Sequence, residues 1–122
     1  MRQNGRRPPI LHRLVQEFLD YCRLANFSDR SIQALTARLN ELQAYLKAQS
    51  IGSVKKINYL HLVDFVAEFN APSIHVRKSR VWTLRQFYHF LTLHHKVDKN
   101  IARGLLLLIS GLNQTIFSDY FY

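Results

Sequence analysis

Residues 72–96, PSIHVRKSRVWTLRQFYHFLTLHHK, constrain the fold more than any other stretch, because they demand a helix and give it charge of a single sign. Behind Pro72, Ser73 is suited to accept a backbone N–H and start that helix. Ile74, Val81, Leu84, Tyr88 and Leu91 then recur at steps of three, four and seven residues, which puts them on one stripe and predicts that the stripe is core. Asp and Glu are absent from 71–96, whereas Arg77, Lys78, Arg80, Arg85 and Lys96 are present together with four histidines. Solvated helices usually mix signs, so that opposite charges meet one turn apart. A helix without carboxylates therefore points to a polyanionic partner. On the helical projection His75, Lys78, Ser79, Trp82 and Gln86 fall opposite the apolar stripe and are expected to form the exposed face.

The whole chain carries the same sign, with a formal charge of +9 and a pI near 10.1. Such a balance favours nucleic acid or another anionic surface, although by itself it implies only non-specific attraction. At 122 residues and 48% hydrophobic, the chain can bury roughly two-thirds of its unfolded surface in one core without disulfides or metals. Its one cysteine, Cys22, excludes an intramolecular disulfide and suits a reducing, cytoplasmic compartment. The Arg-rich start has no apolar core behind it, so no signal peptide is expected. The longest apolar run, LLLLI at 105–109, falls far short of the roughly 20 residues that a membrane-spanning helix needs. A soluble protein without a membrane partner is the expectation.

Taken in order, residues 1–9 (MRQNGRRPP) read as a disordered basic arm, either lying along phosphates or simply an untied terminus. A first helix is expected over 10–25, with Leu11, Leu14, Val15, Phe18, Leu19 and Cys22 on its core face. Ser28 caps a second helix reaching about residue 49, with Ile32, Leu35, Leu39, Leu42 and Leu46 as core. Its opposite face offers Arg30, Gln33, Ala37, Asn40 and Ala44, which fits either a helix laid in a major groove or an ordinary solvent face. Residues 51–56 form a turn, with Gly52 ending the second helix and Lys55–Lys56 exposed. Asn58 caps a third helix over 59–69, the long helix follows, and a short fifth is expected over 101–108. The pattern gives an all-α orthogonal bundle of four or five helices with short connections.

Several residues in this order resemble a known family. They are Ser28-x-x-Ser31 followed by Leu35, Leu39, Leu42 and Leu46, then the Lys55–Lys56 turn into the third helix. Arg80-x-x-x-Leu-Arg-x-Phe-Tyr-x-Phe-Leu and Lys99-Asn100-Ile101-Ala102 complete the set. Together they look like the N-terminal core-binding domain of tyrosine recombinases and phage integrases, over about residues 10–103, with a tail from 104 to 122. The resemblance implies a sterile-alpha-motif-like (SAM-like) fold, and a domain that closes over one face of duplex DNA while a separate catalytic domain acts from the other. Carried over by position, it implies DNA contacts from Arg30 and Gln33, from Arg77, Lys78, Ser79, Arg80 and Gln86, and from Lys55 and Lys56 between them. Trp82 stacks on sugar or packs under a neighbour.

The chain departs from that pattern in two places. The family usually carries Asn-Pro-Ala where this sequence has Asn100-Ile101-Ala102, and the apparatus around a tyrosine nucleophile, including His-x-x-Arg, has no counterpart. Tyr120 and Tyr122 stand in an apolar tail without positioned cations upstream, so neither reads as a nucleophile and no enzymatic step is expected. The tail reads as a truncated product, a helix folded back, or a segment docking on a second copy to make a homo-oligomer. His89, His94 and His95 lack the Cys or acidic company of a metal site, and no glycine-rich phosphate loop occurs, so neither metal, cofactor nor small-molecule substrate is expected. Three functions follow: a recombinase DNA-binding domain, a helical protein-interaction module using the tail, or a stand-alone helix-turn-helix regulator.

Overall fold

The computed structural model describes residues 10–105, and among them every regular element is a helix or a helical turn. Four α-helices follow one another: α1 (Ile10–Leu24), α2 (Asp29–Ala48), α3 (Tyr59–Ala67) and α4 (Ile74–Leu93). Short 3-10 turns, Val54–Lys56 and Ile101–Gly104, follow α2 and α4. The all-α class agrees with the periodicity. The arm expected at 1–9 and the tail beyond 105 lie outside the described residues, and so do 106–108 of the expected fifth helix, whose described part is the 3-10 turn Ile101–Gly104. Among the described residues, no helix is long and apolar enough to cross a membrane.

The chain divides into two units at Lys56–Ile57. In the first, α1 and α2 pack together through Leu11, Leu14, Val15, Phe18, Leu19 and Cys22 on one side and Leu35, Leu39, Leu42, Tyr45 and Leu46 on the other. His12 and Gln43 join the two helices by a hydrogen bond of 3.2 Å beside that seam. In α1 all six of these residues are linked by steps of three or four, as a single buried stripe requires. Cys22 is fully buried, and this desolvation pushes its thiol up to about 11, opposed by the neighbouring Arg23.

Helix ends are set by local chemistry. Ser28 accepts the Ser31 N–H at 3.1 Å and Ser73 accepts the Val76 N–H at 3.2 Å, as their positions foretell. Asn58 and His61 form a reciprocal box, each side chain accepting the other's backbone N–H at 3.0 Å. Three helices close in the same way, with a left-handed residue just past the end and a backbone bond reaching back five positions. Asn26, Ser50 and His95 take positive φ, while Phe27, Ile51 and Lys96 donate to Cys22, Leu46 and Leu91. Gly52 is therefore not the terminator of α2: no glycine among the described residues has positive φ, and Ser50 makes that turn. Gly104 serves close approach instead, since an added Cβ would sit 3.3 Å from the Tyr59 ring.

In the second unit α4 is the hub. Val81, Leu84, Tyr88 and Leu91 are buried as their spacing requires, whereas Ile74, at the first turn, is 36% exposed. The face expected to be solvated behaves otherwise: Lys78 and Trp82 are buried, Ser79 and Gln86 half-buried, and only His75 is exposed. Trp82, Phe87 and Phe90 carry apolar surface around the rest of the circumference, and a helix apolar on nearly all sides is an interior one. Leu62, Phe65 and Val66 of α3 supply the core from one side, and Ala102 and Leu105 from the turn after α4 are also buried.

The state of Cys22 gives a first prediction. At pH 8 a thiol reagent should modify the chain only as fast as it unfolds, and with all sites exposed in denaturant the reaction should be immediate. Because the folded chain holds this proton more tightly than the unfolded one, stability should fall as pH rises from the ordinary thiol range towards 11. Rapid labelling of the native protein would contradict the buried position.

Candidate nucleic-acid interface

On α2 the exposed residues Arg30, Gln33, Ala37, Asn40 and Ala44 follow one another at three- and four-residue steps, forming the acid-free stripe that the spacing implies. Asp29 precedes it, and Glu41, four residues after Ala37 and three before Ala44, is half-buried at its edge with its carboxylate paired to Arg38 at 3.1 Å. Arg30 thus stands near a helix start with short, uncharged neighbours along the same face. Lys55 and Lys56 are exposed together on the Val54–Lys56 turn. That turn is anchored by buried Val54 and by Ser53, whose hydroxyl accepts the Lys55 N–H at 3.2 Å. Four of the expected contact residues are therefore open to solvent in the first unit.

The second unit divides its cations differently. Arg80 is 2% exposed, and its guanidinium donates to the carbonyls of Phe65 at 2.8 Å and Phe69 at 2.9 Å. The same group stands 4.5 Å over the Phe65 ring and 5.8 Å from that of Phe69. Its charge thus meets the negative end of α3, where the last carbonyls lack helical partners. This corrects the expectation of a DNA contact from Arg80, because the residue is buried and its Nη1 is already held by two backbone carbonyls. Arg85 behaves similarly, donating to the Arg103 carbonyl at 3.0 Å. Cations without carboxylates do not by themselves require a polyanion, since carbonyl oxygens also satisfy them.

Of the remaining α4 candidates, Lys78 is 3% exposed, which corrects the expectation that it stands on the solvent face. Arg77, Ser79 and Gln86 are half-buried. Trp82, at 8% exposed, packs inside and offers no free stacking face. Gln86 lines an open groove of about 570 Å³ in which Arg85 and His89 of α4 face Asn100 and Arg103 of the following turn. The spacing had not marked this groove. Its traces were the i, i+4 pair Arg85 and His89 and the returning Asn100-x-x-Arg103, but only the fold of the turn onto α4 brings them together.

The model of the phage integrase N-terminal SAM-like domain matches residues 15–95. The chain belongs to that family. The match begins within α1 and ends just past α4, so it takes in the α2 stripe, the Lys55–Lys56 turn and Arg80. Comparison with curated proteins and with solved structures returns no match.

Arg80 and Arg30 should separate in experiment. Arg80→Met is expected to lower stability by about 3 kcal/mol, because two charge-assisted hydrogen bonds disappear and buried carbonyls lose their donors. Arg30→Gln should leave stability within about 0.5 kcal/mol. Urea unfolding of the two variants checks this, and an unchanged midpoint for Arg80→Met would show that its guanidinium is not needed for the fold.

Proposed function

We propose that this domain binds duplex DNA and serves as the non-catalytic, DNA-holding part of a site-specific recombinase. The observation that carries this reading is the acid-free, solvent-exposed stripe of α2 headed by Arg30, within a family whose members are integrases. Arg30, Lys55 and Lys56 would neutralise phosphates, which fixes position and confers a strong dependence on salt. Gln33 and Asn40 have the donor and acceptor pairs that adenine edges match in a major groove, and Ala37 and Ala44 keep the intervening surface low. From α4, Arg77, Ser79 and Gln86 add half-buried polar groups. Arg80 belongs to the fold rather than to the interface.

In this reading the chemistry of strand exchange comes from another domain or chain, and the domain works with the nucleoid in the cytoplasm. The structure of a clamp fits such a division: contacts spread over phosphates hold a duplex without performing a reaction on it. Binding by the isolated chain would accordingly be weak and weakly selective among sequences.

The test is fluorescence anisotropy of the full chain with a short duplex over a range of salt concentrations. The triple variant Arg30→Gln, Lys55→Gln, Lys56→Gln is expected to bind at least tenfold more weakly, with the slope of log affinity against log salt shallower by about 2 to 3. Unaltered affinity and slope in a folded triple variant would reject this surface as the DNA contact.

A further inference from the structure

We propose that the groove between α4 and the Ile101–Gly104 turn is a phosphate site, occupied in the complex by a phosphodiester of the DNA backbone. This rests on the DNA-binding reading and extends it past Gln86 to Asn100 and Arg103, which lie beyond the residues that the family match covers. The groove lies within the second unit, and its walls are made by Arg85, Gln86 and His89 on one side and by Asn100 and Arg103 on the other. None of its lining residues is acidic.

The hydrogen bonds inside the groove decide what it can receive. Asn100 uses its Oδ1 to accept the Ala102 N–H at 3.1 Å, which leaves the side-chain amide as a donor. Arg85 donates to the Arg103 carbonyl at 3.0 Å and so ties the turn to α4, while the Arg103 side chain itself is exposed. Gln86 and His89 add further donors from successive faces of the same helical stripe. Thr92, also in the lining, gives its hydroxyl proton to the Tyr88 carbonyl at 2.7 Å and contributes an oxygen only. A fork of guanidinium donors beside amides, without a competing carboxylate, suits the several acceptor oxygens of a phosphate. At about 570 Å³ and open on one side, the groove is larger than an isolated ion requires and admits a phosphodiester with its flanking sugars.

Arg103→Gln removes the exposed charge without touching the Arg85 bond, which uses the backbone carbonyl. With the full chain and a short duplex, this variant is expected to flatten the log–log salt slope by about 0.9 and to weaken binding several-fold at low salt. Arg13→Gln, a charge removed from an exposed position on α1, should change neither. A parallel titration with inorganic pyrophosphate, followed by the backbone amides of Gln86, Asn100 and Arg103, separates a free phosphate from DNA. Shifts with pyrophosphate but an unchanged DNA slope in Arg103→Gln would overturn the DNA source. Absence of both responses would overturn the site altogether while leaving the α2 surface standing, provided the wild-type chain still binds duplex. A wild-type chain that fails to bind duplex would bring down the broader reading and this one with it.

Discussion

The second unit depends on one side chain, the guanidinium of Arg80. A helix as short as α3, nine residues long, ends with carbonyls that nothing in its own backbone can satisfy. The chain then turns sharply through Asn70 and Ala71, both at positive φ, so the carbonyls of Phe65 and Phe69 are left facing α4 rather than water. A neutral amide could donate to both but would bring no positive charge to the end of the helix. Arginine satisfies both from one nitrogen, spreads its charge over the Phe65 ring, and opposes the negative end of the helix at the same time. Removing it would leave buried acceptors unpaired; replacing it by lysine would keep the charge and lose the planar fork that lies against the ring.

That arrangement changes how the positive charge of the chain should be understood. Seventeen lysines and arginines against eight acids imply an anionic partner, but the excess is not evenly available. In α4, two arginines serve backbone carbonyls and a lysine is buried, so the most basic stretch of the sequence is also the most buried. Of the cations that the resemblance marks, the exposed ones lie where the sequence is less emphatic: Arg30 at the start of α2, and Lys55 with Lys56 on a three-residue turn. Family membership as an integrase N-terminal domain and the exposed stripe on α2 both support the proposed DNA partner.

Most of the secondary structure was legible because it is governed by local rules. Ser28, Asn58 and Ser73 cap the helices that their side chains favour, and the apolar stripes of α1 and α2 are buried as their spacing demands. Two kinds of feature escaped. Termination of α2 was assigned to Gly52 since glycine best tolerates positive φ, yet Ser50 bears that strain because the bond from Ile51 to Leu46 completes the helix end one residue earlier. The burial of Lys78, Arg80 and Trp82 was missed because a single stripe was fitted to α4, although Trp82, Phe87 and Phe90 extend its apolar surface around the helix. Whether an arginine meets a phosphate or a carbonyl depends on where a preceding helix ends in space, which spacing along one helix does not encode. The family was recognisable over about residues 10–103 by the order of its residues and the match covers 15–95, whereas the groove forms only when Asn100 and Arg103, beyond the match, fold back onto α4.

The division of cations into a structural and a DNA-facing set is the central claim, and it is tested most directly by nuclear magnetic resonance. Arginine Nε–H and backbone amide signals would be followed while a short duplex is added at low salt. The account predicts progressive shifts at Arg30, Gln33, Lys55 and Lys56, with the Arg80 Nε–H signal protected from exchange and unmoved throughout. Movement of the Arg80 signal on titration, with α2 and the lysine turn silent, would contradict it.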